Sequence, residues 1–261
     1  MIKNNLHIAP FISLKYSFCK YAYNLISRNL GVFIMKQKNV ELIMAIVLIL
    51  AAVLLSKNVV QITTNSKAMT KGYTIIVDAG HGGNDPGKIG INGEKEKDLN
   101  LSIAKELQQQ LTDKGIKVVM TREEDTGLYD ENSKNKKVED MRRRCELIDK
   151  SKADLTISIH QNSYHQGSIK GAQVFYYEHS NEGKKVAETL QESLVKHLDT
   201  SNKRKAKAND SYYLLRKTQT PTVIVECGFL SNAEEAEKLK TESYQKEIAK
   251  AIVEGIMDYF K

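Results

Sequence analysis

The sequence predicts an α/β protein: a single domain with a mixed, largely parallel twisted sheet flanked by helices, preceded by an N-terminal membrane or signal segment. Three observations lead there. From Gly72 onward, short β-branched runs alternate with apolar stripes of helical spacing. The first of those stripes stops at a glycine, Lys114-Gly115. Three polar residues, His81, His160 and Glu226, stand where predicted strands finish, the edge at which open α/β sheets bind ligands.

Tyr73–Asp78 is the first predicted strand. Leu99, Ile103, Leu107 and Leu111 then recur every four residues on one helical face, and Ile116–Thr121 is the next strand. A polar loop, Arg122 to Lys136, leads to a second amphipathic helix marked by Val138, Met141, Cys145 and Ile148. Asp154–Ile159 and Ala172–Tyr177 read as strands and Asn181–Leu198 as a helix. Tyr212–Leu215 and Thr222–Val225 read as two more strands, the latter following Pro221, where a strand start tolerates proline. Tyr244, Ile248, Ile252 and Tyr259 line a closing helix.

Ahead of this domain, 42-LIMAIVLILAAVLLS-56 carries no charge and follows Lys36 and Lys38, the layout of a secretory signal. It is short for a spanning helix, which needs about 17–25 residues. Residues 35–56 are therefore expected to be a signal peptide or signal-anchor, with Met35 an alternative initiator. Residues 1–34 are an upstream extension or a cytoplasmic segment. The lysines before the apolar run place the amino terminus inside. The working domain is then extracytoplasmic, held at the membrane through residues 42–56. Residues 57–71 are polar and patternless and read as a tether, leaving 72–261 as the catalytic domain.

Composition removes several function classes. The net charge of +7 suggests an acidic partner, but no aromatic-studded basic motif accompanies it. The run 203-KRKAK-207 reads as a solvated loop, so no nucleic-acid partner is expected. Cys19, Cys145 and Cys227 are an odd number without a CxxC pair, against a disulfide framework or a thiolate zinc site. The stretch GHGGNDPG matches neither GxGxxG nor GxxxxGK[ST]. Its glycines are expected to turn the chain sharply and bring His81 to the cleft floor.

Catalytic zinc takes three protein ligands and keeps one open position, and two histidines with a carboxylate suit it. A separate carboxylate must then move protons. His81, His160, one of Glu94 or Glu96, and Glu226 supply that set. Spacing alone leaves the choice between Glu94 and Glu96 open. Asn162, two residues after His160, would orient a ligand or touch substrate. Arg122 and Arg216 follow predicted strands, where each could meet a substrate carboxylate or form a surface salt bridge. Arg142–Arg144 cannot share one helix face, so at least one should be structural or solvent-facing.

The phrases 77-VDAGHGGNDPG-87, 96-EKDLNL-101, 158-SIHQN-162 and 224-IVECGFLSN-232 resemble the zinc-dependent N-acetylmuramoyl-L-alanine amidases, type 3. The likeness runs from Tyr73 to the carboxyl end, with the motifs in order. It implies one Zn2+ ion held by His81, Glu96 and His160, with Glu226 catalytic and Glu94 a solvated neighbour. Ala79, Lys88 and Gln161 depart from the usual pattern, which touches substrate contacts rather than ligands.

Within the family, 136-KKVEDMRRRCELI-148, 171-GAQVFYY-177 and 204-RKAKANDSYYLL-215 resemble the germination-specific, spore-cortex members. That likeness implies a peptidoglycan substrate and removal of stem peptides so that muramic-δ-lactam can form. It also implies a polysaccharide deacetylase partner in the pathway and a location on the forespore or cortex side. Asp199–Asp210 is too short and basic for an inhibitory plug helix, so control would fall to a separate activator protein. The rival readings are another zinc peptidase or carboxypeptidase acting on cell-wall peptides, a general wall-remodelling amidase, and a non-catalytic wall-binding module.

Overall fold

A computed structural model describes residues 23–28, 42, 44–49 and 72–261; most of the expected extension, signal segment and tether lies outside these residues. The chain divides into two units, Met1–Ala68 and Met69–Lys261. In the first, residues 23–28, 42 and 44–49 are helical and exposed. Among the described residues no helix is long and apolar enough to cross a membrane.

The second unit holds six strands: β1 (Thr74–Ala79), β2 (Lys117–Met120), β3 (Leu155–Asn162), β4 (Gln173–Tyr177), β5 (Lys207–Asn209) and β6 (Thr222–Phe229). Its helices are α1 (Glu96–Asp113), α2 (Lys136–Ser151), α3 (Asn181–His197), α4 (Tyr213–Lys217), α5 (Ala233–Leu239) and α6 (Glu242–Tyr259). The strands form one sheet in the order β2-β1-β3-β6-β4-β5. β2, β1, β3 and β6 run parallel, while β4 pairs antiparallel with β6 and parallel with β5. The sheet is therefore mixed and largely parallel, as the alternation of elements implied.

The central strands are covered on both faces, so they read as continuous apolar runs rather than alternating ones. Ile75, Val77, Ala79, Ile157, Ile159, Val223 and Val225 pack on one face with the apolar stripes of α1, α3 and α6. The intervening residues face the other way: Ile76 joins Cys145 and Ile148 of α2 and Leu214 of α4, and Ile224 joins Phe175 and Leu215. Successive strand side chains alternate faces, so both sides of β1 and β6 are buried.

Two sequence expectations change here. Residues 212–215 are not a strand; α4 occupies 213–217. The Asn209 carboxamide oxygen accepts the N–H groups of Ser211 and Tyr212 and turns the chain. Leu214 and Leu215 then enter separate apolar clusters, which in a five-residue helix imitates strand alternation. Second, β3 and β6 run past Ile159 and Val225, so His160 and Glu226 lie inside strands and pair in register with each other. The apolar pattern breaks at His160 and Glu226 because those side chains face a polar cleft, while the ladder continues and Cys227 and Phe229 of β6 are buried.

Candidate metal centre

β1 ends at the open edge of the sheet, and the chain reverses at once. Gly80 N–H donates to Ile159 O at 3.1 Å. A Cβ on Gly80 would lie 2.2 Å from His160 Nε2, so only glycine lets that imidazole lie across the turn. His81 itself has φ 61°, a left-handed conformation uncommon outside glycine. The sharp turn expected of the glycines is thus made partly by the histidine.

What holds this conformation is a pair of buried arginines. Arg144 Nη1 donates to Ala79 O at 2.8 Å and Nη2 to His81 O at 2.7 Å. Its charge is met by Asp78 and Asp140, each at 2.6 Å. Ser158 and Thr121 hydroxyls also donate to Asp78, at 2.5 and 2.7 Å. Burial would raise the Asp78 carboxyl, but Arg144 and these hydroxyls bring it down to about 2. Arg122 donates to Ala79 O, Gly80 O, Lys97 O and Glu124 O. Of the three consecutive arginines, Arg144 is this structural residue, while Arg142 and Arg143 are exposed and pair along α2 with Glu146 and Glu139.

His81, Glu96 and His160 converge from three elements. Glu96 is the first residue of α1, where the helix dipole favours a carboxylate. Its Oε1 lies 3.2 Å from His81 Nε2 and 2.9 Å from His160 Nδ1. Its Oε2 accepts the Lys88 N–H at 2.8 Å. One ligand atom from each residue lies within 4.8 Å of the others. The Asp85 carboxylate, 3.0 Å from His81 Nδ1, fixes that ring and leaves Nε2 directed at Glu96. Burial opposes the Glu96 charge, yet hydrogen bonds and charge from His160 and His81 hold its carboxyl well below the usual range.

Glu226 faces the same cavity, of about 480 Å³. It is 7% exposed and its Oε2 is buried without a hydrogen-bond partner. Burial, with a smaller contribution from Glu96, pushes its carboxyl up to about 7, against the pull of His160 and His81. Two imidazoles and a carboxylate are a donor set for a zinc-like divalent cation. A neighbouring carboxylate with one unengaged oxygen completes what metal-assisted hydrolysis requires, so the residues present fit such an ion.

The other expected contacts fall differently. Asn162 lines the cavity, its side-chain oxygen accepting the Ser163 N–H at 2.8 Å. Arg122 is 4% exposed with its guanidinium spent on main-chain carbonyls, which leaves it no group to offer a substrate. Arg216 is an exposed residue of α4 and does not line the cavity. Glu94 is not solvated: its side chain is 6% exposed, 3.3 Å from Lys240. Its Oε2 accepts the Asn92 N–H and its carbonyl the Gly90 N–H, bracing the loop. Asp78 and Asp85 carry no prediction from sequence, and Arg144 is marked there only as one of three consecutive arginines that cannot share a face. Asp85, four residues after His81 within the glycine turn, carries a local signal.

This geometry is that of a candidate divalent-metal site with a neighbouring carboxylate at the edge of an α/β sheet. The profile of the N-acetylmuramoyl-L-alanine amidase family matches residues 75–258, and the chain belongs to that family. Its substrate is accordingly peptidoglycan. The germination-specific N-acetylmuramoyl-L-alanine amidase of Bacillus subtilis is 41% identical over 192 residues, covering 72% of this chain and 80% of that protein. The CwlD amidase from Clostridioides difficile, solved in complex with the GerS lipoprotein, superposes with a TM-score of 0.71 at 40% identity. That match covers 72% of this chain and 98% of the other. An N-acetylmuramoyl-L-alanine amidase from Clostridium difficile 630 gives 0.65 at 33% identity, covering 73% and 98%.

Proposed function

We propose that this chain is a zinc amidase that cleaves the bond between the lactyl carboxyl of N-acetylmuramic acid and L-alanine, stripping stem peptides from spore cortex so that muramic-δ-lactam can form. The observation that carries the metal reading is the convergence of His81, Glu96 and His160 within 4.8 Å beside a buried, half-unsatisfied Glu226. His81, Glu96 and His160 would hold the ion. When bound, zinc supplies a Lewis acid and makes hydroxide available at neutral pH. Glu226 takes a proton from the attacking water at its carboxylate and returns it to the departing alanine amine. Burial, with a smaller push from Glu96, holds this carboxyl up at about 7, and a bound cation would draw it down and favour the carboxylate that accepts the proton. Asp85 keeps the His81 ring oriented, and Asn162 lies where the substrate backbone would pass.

The cortex role is supported by the likeness to the germination-specific amidase of Bacillus subtilis. A polysaccharide deacetylase would then act on the stripped glycan. The GerS complex of the Clostridioides difficile relative supports control by a separate activator protein. Export through residues 35–56, with anchoring by residues 42–56 and a tether over 57–71, would place the catalytic domain, residues 72–261, on the forespore or cortex side of the membrane.

Mass spectrometry of peptidoglycan treated with the full chain tests this. Expected products are peptides with a free L-alanine amine and glycan with a free lactyl carboxyl. Their formation should stop with a chelator and resume with zinc. Cleavage inside the peptide, or undiminished release by the chelated protein, would sink the reading.

A further inference from the structure

Five carboxylates line the cavity, and all but Glu226 are engaged. Asp78 and Asp140 hold Arg144. Asp85 meets His81 and Lys137. Glu96 meets both imidazoles, and Glu226 is the proposed proton carrier. The lysines and arginine that line the cavity are Lys88, Lys137 and Arg144. Arg144 and Lys137 are paired, the latter 3.3 Å from Asp85. Lys88 is exposed and forms no ion pair among the described residues. Charge accounting therefore leaves one uncommitted positive side chain at the cavity.

Its position is fixed even though its side chain is free. The Lys88 N–H donates to Glu96 Oε2 at 2.8 Å, and the Lys88 carbonyl accepts the Glu96 N–H at 2.9 Å. Its α-carbon is thereby tied to the metal cluster on the α1 side of the sheet. Tyr212, which caps α4, and Tyr213, its first residue, reach the same cavity, and α4 packs through Leu214 on the opposite face. Lys88 and the two tyrosines thus line one cavity from different elements.

We propose that Lys88 is an anion subsite for the peptide half of the substrate: its ammonium binds a carboxylate beyond the scissile amide, with the sugar half toward Tyr212 and Tyr213. This rests on the amidase reading given above. An ammonium on a flexible stem recognises a carboxylate as a point charge without fixed geometry, and an exposed one is weakened by salt.

Two synthetic substrates test it: N-acetylmuramoyl-L-alanyl-D-glutamate and the same molecule with both glutamate carboxyls converted to amides. The zinc-loaded full chain should favour the anionic substrate about tenfold in kcat/KM, chiefly through KM. Lys88→Ala should remove most of that preference, Lys88→Glu reverse it and Lys88→Arg restore it, with zinc content near one per chain throughout. A preference that survives Lys88→Ala, or none in the unmodified enzyme, overturns the subsite. So does loss of zinc in Lys88→Ala, which would make the side chain a support of the metal cluster. Failure of the unmodified zinc-loaded chain to cleave either substrate, both alone and with a GerS-type lipoprotein added, overturns the amidase reading, and the subsite with it.

Discussion

The two histidines of the site are positioned in opposite ways. His160 sits in the ladder of β3, with Glu226 of β6 as its register partner; main-chain hydrogen bonding between strands sets where both side chains point. His81 has no ladder. It stands on a left-handed turn whose carbonyls are gripped by Arg144 and, at Ala79 and Gly80, by Arg122. One half of the centre is thus held by backbone register, the other by a buried charge network. The contrast teaches where the site is vulnerable from a distance: through Arg144, Asp78 and Asp85 on the His81 side.

The largest effects test whether both halves serve one centre. His81→Ala and His160→Ala should each lose metal, measured by elemental analysis, and with it peptide release. Glu226→Ala should lower kcat by about 10²–10⁴-fold while zinc stays near one per chain. A Glu226→Ala variant that keeps full activity would break the assignment.

Next comes the charge network. Arg144→Met leaves Asp78 and Asp140 buried without their partner, a loss of about 3–5 kcal/mol that a denaturant titration would read. An unchanged midpoint would erase the contrast between the two halves. Asp85→Asn frees the His81 ring and should weaken zinc binding by about 10–100-fold, read by chelator competition, with little change in the denaturation midpoint.

The smallest effect is a pH dependence. The folded Asp78 carboxyl, at about 2, lies below its ordinary 3.8, so the folded chain binds this proton more weakly than the unfolded one. Its stabilising contribution is fully present above about 3.8 and is lost as pH falls toward 2. Denaturation midpoints across that window should fall more steeply for the unmodified chain than for Asp78→Asn; equal slopes would assign the acid sensitivity elsewhere.

Much of the fold was legible because burial is periodic. The stripe Leu99, Ile103, Leu107 and Leu111 is α1, and all four are buried. The runs at 74–79 and 155–159 are strands. What hides from sequence is short or polar: α4 has too few residues for a period, and the end of β3 and Glu226 of β6 face a cleft that no apolar pattern marks. His81, Glu96, His160 and Glu226 were named from motifs, and the structure brings all four to one cavity. Glu94 reads as solvated from sequence because a glutamate in a glycine-rich loop offers no sign of the turn it braces. Sequence leaves Arg122 open between a substrate contact and a surface salt bridge, because nothing local tells an arginine that binds ligand from one that binds four main-chain carbonyls.

By itself, then, the sequence determined the alternation of strand and helix and the four motifs whose family resemblance names His81, Glu96, His160 and Glu226, since both depend on residue type and short-range spacing. Tertiary structure alone decided how those residues are held. The partners of Arg144 lie 66 and 4 positions away at Asp78 and Asp140, and the register that sets His160 beside Glu226 joins strands far apart in the chain. Which charges are consumed inside the cavity and which one, Lys88, is left over emerges only when every partner is in place, because an ion pair is a property of distance in space and not of position along the chain.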